Sequence, residues 1–279
     1  MRRIDYFILN NGGMNKEKGS DNMRIIRTIL LAVFCLCILA GCSAEKEATL
    51  AQLSDYMSSG TKNAELTIRR ENGCSISISA DNAEETENYP IAFPKENELA
   101  SIEQMTALER VVLDFEPDEL DQDLMRKIAE KFLSLPSLKC ALISGAAFDI
   151  DTLQASFPEE VHLVNCKVVN TVDLARVKDL YLTDTVWEKH SFANTESVDN
   201  LFLDLSSVPE KTDALSLFPK LSQLSLPAGI DEYTEGWPIK LTADRKEIPS
   251  GILLPFSSDD IQMYMENHPN VTVILRPAY

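Results

Sequence analysis

Three histidines (His162, His190, His268) and six cysteines are the side chains best suited to catalysis or metal binding, and their spacing points to neither. No histidine stands in HExxH, which sets two imidazoles on one helical face, and no GxSxG elbow, P-loop or GxGxxG turn occurs. Cys35, Cys37, Cys42, Cys74, Cys140 and Cys166 form no CxxC pair and no Cys/His ligand spacing. Ser59-Gly60-Thr61-Lys62 fits S-x-x-K, but it falls in a segment read as a tether, which would hold no reacting geometry. Asp114, Glu116, Asp118, Glu119, Asp121 and Asp123 are dense enough to suggest calcium, which needs converging oxygens and usually a tight glycine turn. No glycine is present there, and Leu120 and Leu124 point to a helix with its acids toward water. Asp149-Ile150-Asp151 reads as a helix cap. The expectation is a protein that is not an enzyme, with no catalytic residue, no cofactor and no metal.

The most specific signal lies at the N-terminus. Arg24 and Arg27 precede the apolar run Ile29–Ala40, which is too short to span a bilayer comfortably, since that takes about 20 residues. A basic start, a short apolar core and small residues before a cut describe a secretory signal peptide over residues 1–41. Its ending, Leu39-Ala40-Gly41-Cys42, resembles the lipobox of bacterial lipoproteins. The resemblance implies cleavage before Cys42 and lipidation of its thiol, anchoring the chain on the extracytoplasmic side of a cell or outer membrane. Met23 is the expected true start, because the basic region should open the signal and residues 1–22 do not fit it. Residues 42–62 read as a lipidated tether, with Thr49–Met57 as a short helix.

The 279 residues are 44% apolar and 25% charged, which excludes a chain disordered throughout and a protein of many membrane spans. Processing would leave 238 residues with 20 basic and 41 acidic side chains. So acidic a surface argues against nucleic acid. It is also repelled by anionic headgroups, which leaves attachment to the lipid alone. Cys74, Cys140 and Cys166 remain. The number is odd, so at least one thiol lies outside any intrachain disulfide.

Residues 63–97 read as an N-terminal hairpin cap and an acidic loop. Ala64–Arg70 and Ser75–Ser79 alternate around Asn72-Gly73, a strong hairpin signal, and residues 81–98 carry Pro90 and Pro94. From 98 to 279 short apolar strands recur. L-x-x-L-x-L-like triplets read Leu108–Val111–Leu113, Leu138–Ala141–Ile143, Pro158–Val161–Leu163, Val177–Leu180–Leu182, Val198–Leu201–Leu203 and Leu221–Leu224–Leu226. Their sixth positions are spaced 30, 20, 19, 21 and 23 residues apart. Position nine is small in four units (Ala146, Cys166, Thr185, Ser206), and position eleven is apolar (Phe148, Val168, Trp187, Val208). The pattern resembles leucine-rich repeats. It departs from them in lacking the family's Asn at position nine, a tie that Thr185, Ser206 and Cys166 could replace in part.

The resemblance implies an α/β fold: an irregular leucine-rich-repeat-like solenoid with parallel strands on one face. The alternative is a compact α/β domain with a mostly parallel sheet. The returning segments Ile150–Phe157, Val172–Val177 and Asp213–Phe218 read as short helices. Ser257-Ser258-Asp259-Asp260 starts a helix running to about Asn267, and Val271–Leu275 is a last strand, together a C-terminal cap.

In this frame positions four and six face the core, and positions three, five and seven face outward. Position five reads Val112, Leu142, His162, Tyr181, Phe202 and Ser225, an apolar and aromatic stripe flanked by Glu160, Asp179, Asp114 and Asp204. An apolar row with a polar rim marks an interaction site. The candidate binding face is therefore Leu142, His162, Tyr181 and Phe202 with Glu160, Asp179 and Asp204. The expected function is a lipid-anchored binding protein for a protein or glycan partner. The alternatives are a structural or assembly lipoprotein of the envelope, and an envelope hydrolase with an unrecognised site.

Overall fold

The structure is a computed structural model that describes residues 64–70, 74–79, 87–91, 96–114, 122–145, 150–230, 237–244, 247–249 and 251–277. The signal segment, Cys42, the tether, the hairpin turn, Ala146 and Phe148 lie outside the described residues.

The chain is a mixed α/β structure with a largely parallel sheet and few helices. Its strands are β1 (Ala64–Arg70), β2 (Cys74–Ser79), β3 (Glu87–Ile91), β4 (Leu108–Asp114), β5 (Cys140–Ser144), β6 (Glu160–Val164) and β7 (Val172–Asp173). They continue as β8 (Asp179–Thr183), β9 (Phe192–Ala193), β10 (Asn200–Leu203), β11 (Gln223–Ile230), β12 (Ile239–Leu241), β13 (Ile252–Leu253) and β14 (Thr272–Pro277). The main sheet runs β12-β14-β11-β10-β8-β6-β5-β4-β1-β2-β3, with β13 pairing β11, while β7 and β9 form a small sheet of their own. From β1 to β14 that row is parallel, and antiparallel pairs occur only toward its two ends and at β13.

The alternation of each strand explains the sheet's two faces. Val111, Ala141, Val161, Leu180, Leu201, Leu224 and Val273 are buried in one inward row. Leu113, Ile143, Leu163, Leu182, Leu203, Leu226 and Leu275 are buried in another. Leu113, Ile143, Leu163, Leu182 and Leu203 are successive cross-strand partners, as the triplets require. Aromatic side chains complete the core below, where Trp187, Phe192 and Phe218 pack with ring centroids 5.6–6.2 Å apart.

Two helices are α. In α1 (Gln122–Leu133), Met125, Ile128, Ala129, Phe132 and Leu133 form the buried stripe that three- and four-residue spacing produces. Arg126 bridges Asp123 and Glu130 on its solvent side, where water screens both pairs. In α2 (Ser258–Asn267), the Ser257 hydroxyl accepts from the Asp260 N–H at 3.1 Å, the cap expected from the sequence. Among the described residues no helix is long and apolar enough to cross a membrane.

Four expectations need correction. Residues 81–98 are not all loop, because Glu87–Ile91 is the strand β3. Pro90 is tolerated there because β3 is an edge strand, where a missing N–H costs little. The returning segments are short helices only in part, and those of the 3₁₀ kind. Val172 starts β7, and 3₁₀ turns stand at Ile150–Thr152 and Thr212–Leu217. Segments this short cannot offset helix nucleation, whereas the chain around β9 supplies ready acceptors: Val172 N–H donates to Ser191 C=O and Leu174 N–H to Ala193 C=O. Ser206 is exposed, and Ser207 takes the inward place. The 3₁₀ turn Leu205–Ser207 advances the chain by one residue there. Finally, the last strand begins at Thr272 and lies inside the sheet, with β12 as the edge beyond it.

Candidate functional site

The outward face is built from every second residue of six neighbouring strands. Val112, Leu142, His162, Tyr181, Phe202 and Ser225 are consecutive cross-strand partners, and Ser225 pairs onward with Ile274. Five of these six expected residues are half-buried, but Ser225 is fully buried. Parallel strands about 4.8 Å apart bring flat side chains into contact. The His162 and Tyr181 rings stack at 3.9 Å, and Tyr181 and Phe202 at 4.1 Å, each pair within 4° of parallel. The Arg276 guanidinium closes the far end, 5.7 Å from the Phe202 ring centre, and donates to the Leu203 carbonyl at 3.1 Å. The inner ring faces are therefore covered, and the stack offers ring edges to a visitor.

The row beside it reads Arg110, Cys140, Glu160, Asp179 and Asn200. Glu160 Oε1 lies 2.7 Å from His162 Nε2 and 3.3 Å from the Arg110 guanidinium. The hydrogen bond with His162, ahead of the opposing cost of burial, holds the Glu160 carboxyl below the usual carboxylate range. Burial, with the Glu160 and Asp179 charges, pushes the Tyr181 phenol up to about 12. Asn200 donates to Asp179 at 2.5 Å, so this acid is tied to its neighbour strand.

Burial pushes the Cys140 thiol up to about 12. That is the opposite of the shift that activates a nucleophilic cysteine. The Cys140 sulfur, a Glu160 oxygen and a His162 nitrogen nevertheless all lie within 4.8 Å of one another.

Asp204, which directly follows β10 at the flank of the row, also holds the backbone. Its carboxylate accepts from the Ser207 N–H at 2.9 Å and the Asp184 N–H at 3.0 Å, capping one turn and tying the preceding one. Asp114 and Asp179 remain on the outward face at the strand ends. His190 is exposed beside Glu188, and His268 stacks on Tyr264, so neither joins the site. A polar groove of about 500 Å³ is lined by Glu159, Arg176, Lys178, Glu196, Asp199 and Lys220. Its charges are mixed, and Lys178 pairs with Glu159 at 3.1 Å.

Cys140 and Arg276 are the site residues that sequence reasoning passed over. Both were findable: Cys140 stands at position three of its unit, two residues before Leu142, and Arg276 directly follows the last inward leucine. Comparison with family models, curated proteins and solved structures finds no match to this chain.

Proposed function

We propose that this chain is a lipid-anchored extracytoplasmic binding protein whose strand face, in a leucine-rich-repeat-like solenoid, engages a protein or glycan partner. The solenoid reading is supported by a recurring turn. Gly145, Asn165 and Asp184 each follow a parallel strand directly and have φ of 63°, 50° and 47°. One residue further on, the Cys166 thiol donates to the Ile143 carbonyl (3.4 Å) and the Thr185 hydroxyl to the Leu163 carbonyl (2.9 Å). Each tie joins one coil to the one before, the task the family gives to its Asn.

The single observation that carries the binding reading is the half-buried row Leu142–His162–Tyr181–Phe202, with the Arg276 guanidinium over the Phe202 ring at its far end. A broad face with apolar and aromatic edges and a polar rim suits a macromolecule better than a small molecule held in a cleft. Glu160 and Asp179 supply the rim.

A photoreactive residue at exposed Thr183, two places along β8 from Tyr181, tests this in cells. The expected result is a discrete crosslinked species that fades when Tyr181 and Phe202 are both changed to Ala. The same species from a photoreactive residue at Lys189, off the strand face, would overturn the reading. The anchor is tested separately: palmitate incorporation should vanish in Cys42→Ala.

A further inference from the structure

We propose that Cys140, Glu160 and His162 form a binding site for a borderline-soft divalent cation, zinc above others. The three residues come together by register. Cys140 and Glu160 are direct cross-strand partners on β5 and β6, and His162 follows Glu160 by two, on the same face. Their ligand atoms lie within 4.8 Å of one another. A tetrahedral zinc site needs bonds of about 2.0–2.3 Å and hence ligand atoms roughly 3.5 Å apart. Side-chain rotation of Glu160 and His162 would have to close the difference. Glu160 and His162, now 2.7 Å apart across one hydrogen bond, would open slightly to admit the ion in place of the proton.

The donor set selects the metal. One carboxylate and no carbonyl cluster is too little oxygen for calcium or magnesium, and a thiolate beside an imidazole favours zinc. Three protein ligands leave the fourth position open toward the outward face, the arrangement of sites that accept water or an incoming ligand. The scaffold is firm on one side, because the His162 ring is held against Tyr181 at 3.9 Å. Cys140 is buried, so a thiolate formed there has no water to stabilise it and depends on the cation. Binding therefore exchanges a proton for the metal. The opposing feature is Arg110, 3.3 Å from Glu160, whose side chain is nearly half exposed and can turn into solvent. This site does not depend on the partner reading, since the metal is offered alone.

The test is titration of the full-length chain, purified metal-free in mild detergent, with cobalt(II) and then zinc. One equivalent of cobalt should give a thiolate-to-cobalt charge-transfer band, which zinc displaces. Cys140→Ser should abolish the band. His162→Gln should weaken binding by more than about tenfold, because even groups outside the ligand shell are worth that much. Cys166→Ser should leave the band unchanged, and Arg110→Gln should tighten binding by removing the competing cation. Absence of the band in the unmodified chain would overturn the proposal without reference to any variant. So would a band that persists in Cys140→Ser.

Discussion

Tyr181 and Phe202 lie ring on ring, 4.1 Å apart and 4° from parallel, on two strands whose register makes them direct partners. The next residue in each strand, Leu182 and Leu203, points the opposite way and is buried. One strand thus carries the candidate binding edge and the core spine on alternate residues.

That alternation gives a sharp contrast in mutants. Leu182→Ala should cost about 2–5 kcal/mol of stability, as large-to-small core changes do. Tyr181→Ala with Phe202→Ala loses stacking worth about 0.5–1.5 kcal/mol per pair and some buried area, and should keep a cooperative urea transition. Partner capture should fall in the double mutant. Collapse of the fold in that mutant would make the row part of the core.

Thr185 is fully buried, and its hydroxyl donates to the Leu163 and Thr183 carbonyls. Thr185→Val keeps the shape and leaves those carbonyls without the donor. Urea denaturation should show a loss of about 1–3 kcal/mol, the cost of an unsatisfied buried polar group. An unchanged midpoint would mean that the tie between Thr185 and Leu163 contributes nothing.

Asn165 sits at φ 50° with its side chain exposed. Asn165→Ala should destabilise by about 1 kcal/mol, because a Cβ without a local hydrogen bond is strained in the left-handed region. Asn165→Gly should be neutral within about 0.5 kcal/mol, apart from its entropy in the unfolded chain. Equal loss in both variants would assign the effect to the amide rather than to the backbone.

Tyr264 packs on His268, and its buried hydroxyl has no hydrogen-bond partner among the described residues. Burial pushes its phenol from 10.0 up to about 12. Below pH 10 it is neutral in both folded and unfolded chains. Between pH 10 and 12 the unfolded chain loses its proton first, so stability falls as pH rises through that window. Tyr264→Phe should flatten this alkaline decline and be neutral or slightly stabilising, by up to about 1 kcal/mol, at pH 7. A steeper alkaline loss in the variant would contradict the sign.

Much of this was legible from residue types alone. The alternation of Val161, His162 and Leu163 fixes which side of β6 is wet, and the triplet spacing aligns it with its neighbours, because a side-chain period of two leaves one register that buries the leucines. Ser257 and its following acids announced α2, since capping is a local interaction. The returning segment at Val172 was illegible for the converse reason. Val172 becomes a strand because Ser191, nineteen residues on, offers its carbonyl. No window around Val172 contains that fact.

By itself, then, the chain dictated the strands of its triplets, their inward and outward sides and the cap of α2. All of these are written in short-range periodicity and local hydrogen bonding. Only the tertiary structure decided that His162, Tyr181 and Phe202 lie face to face, that Arg276 closes their stack, that Asp204 serves two turns, and that Cys140 meets Glu160 and His162. Those meetings depend on which strand lies beside which and on how far each return advances the chain. The neighbouring backbones set both.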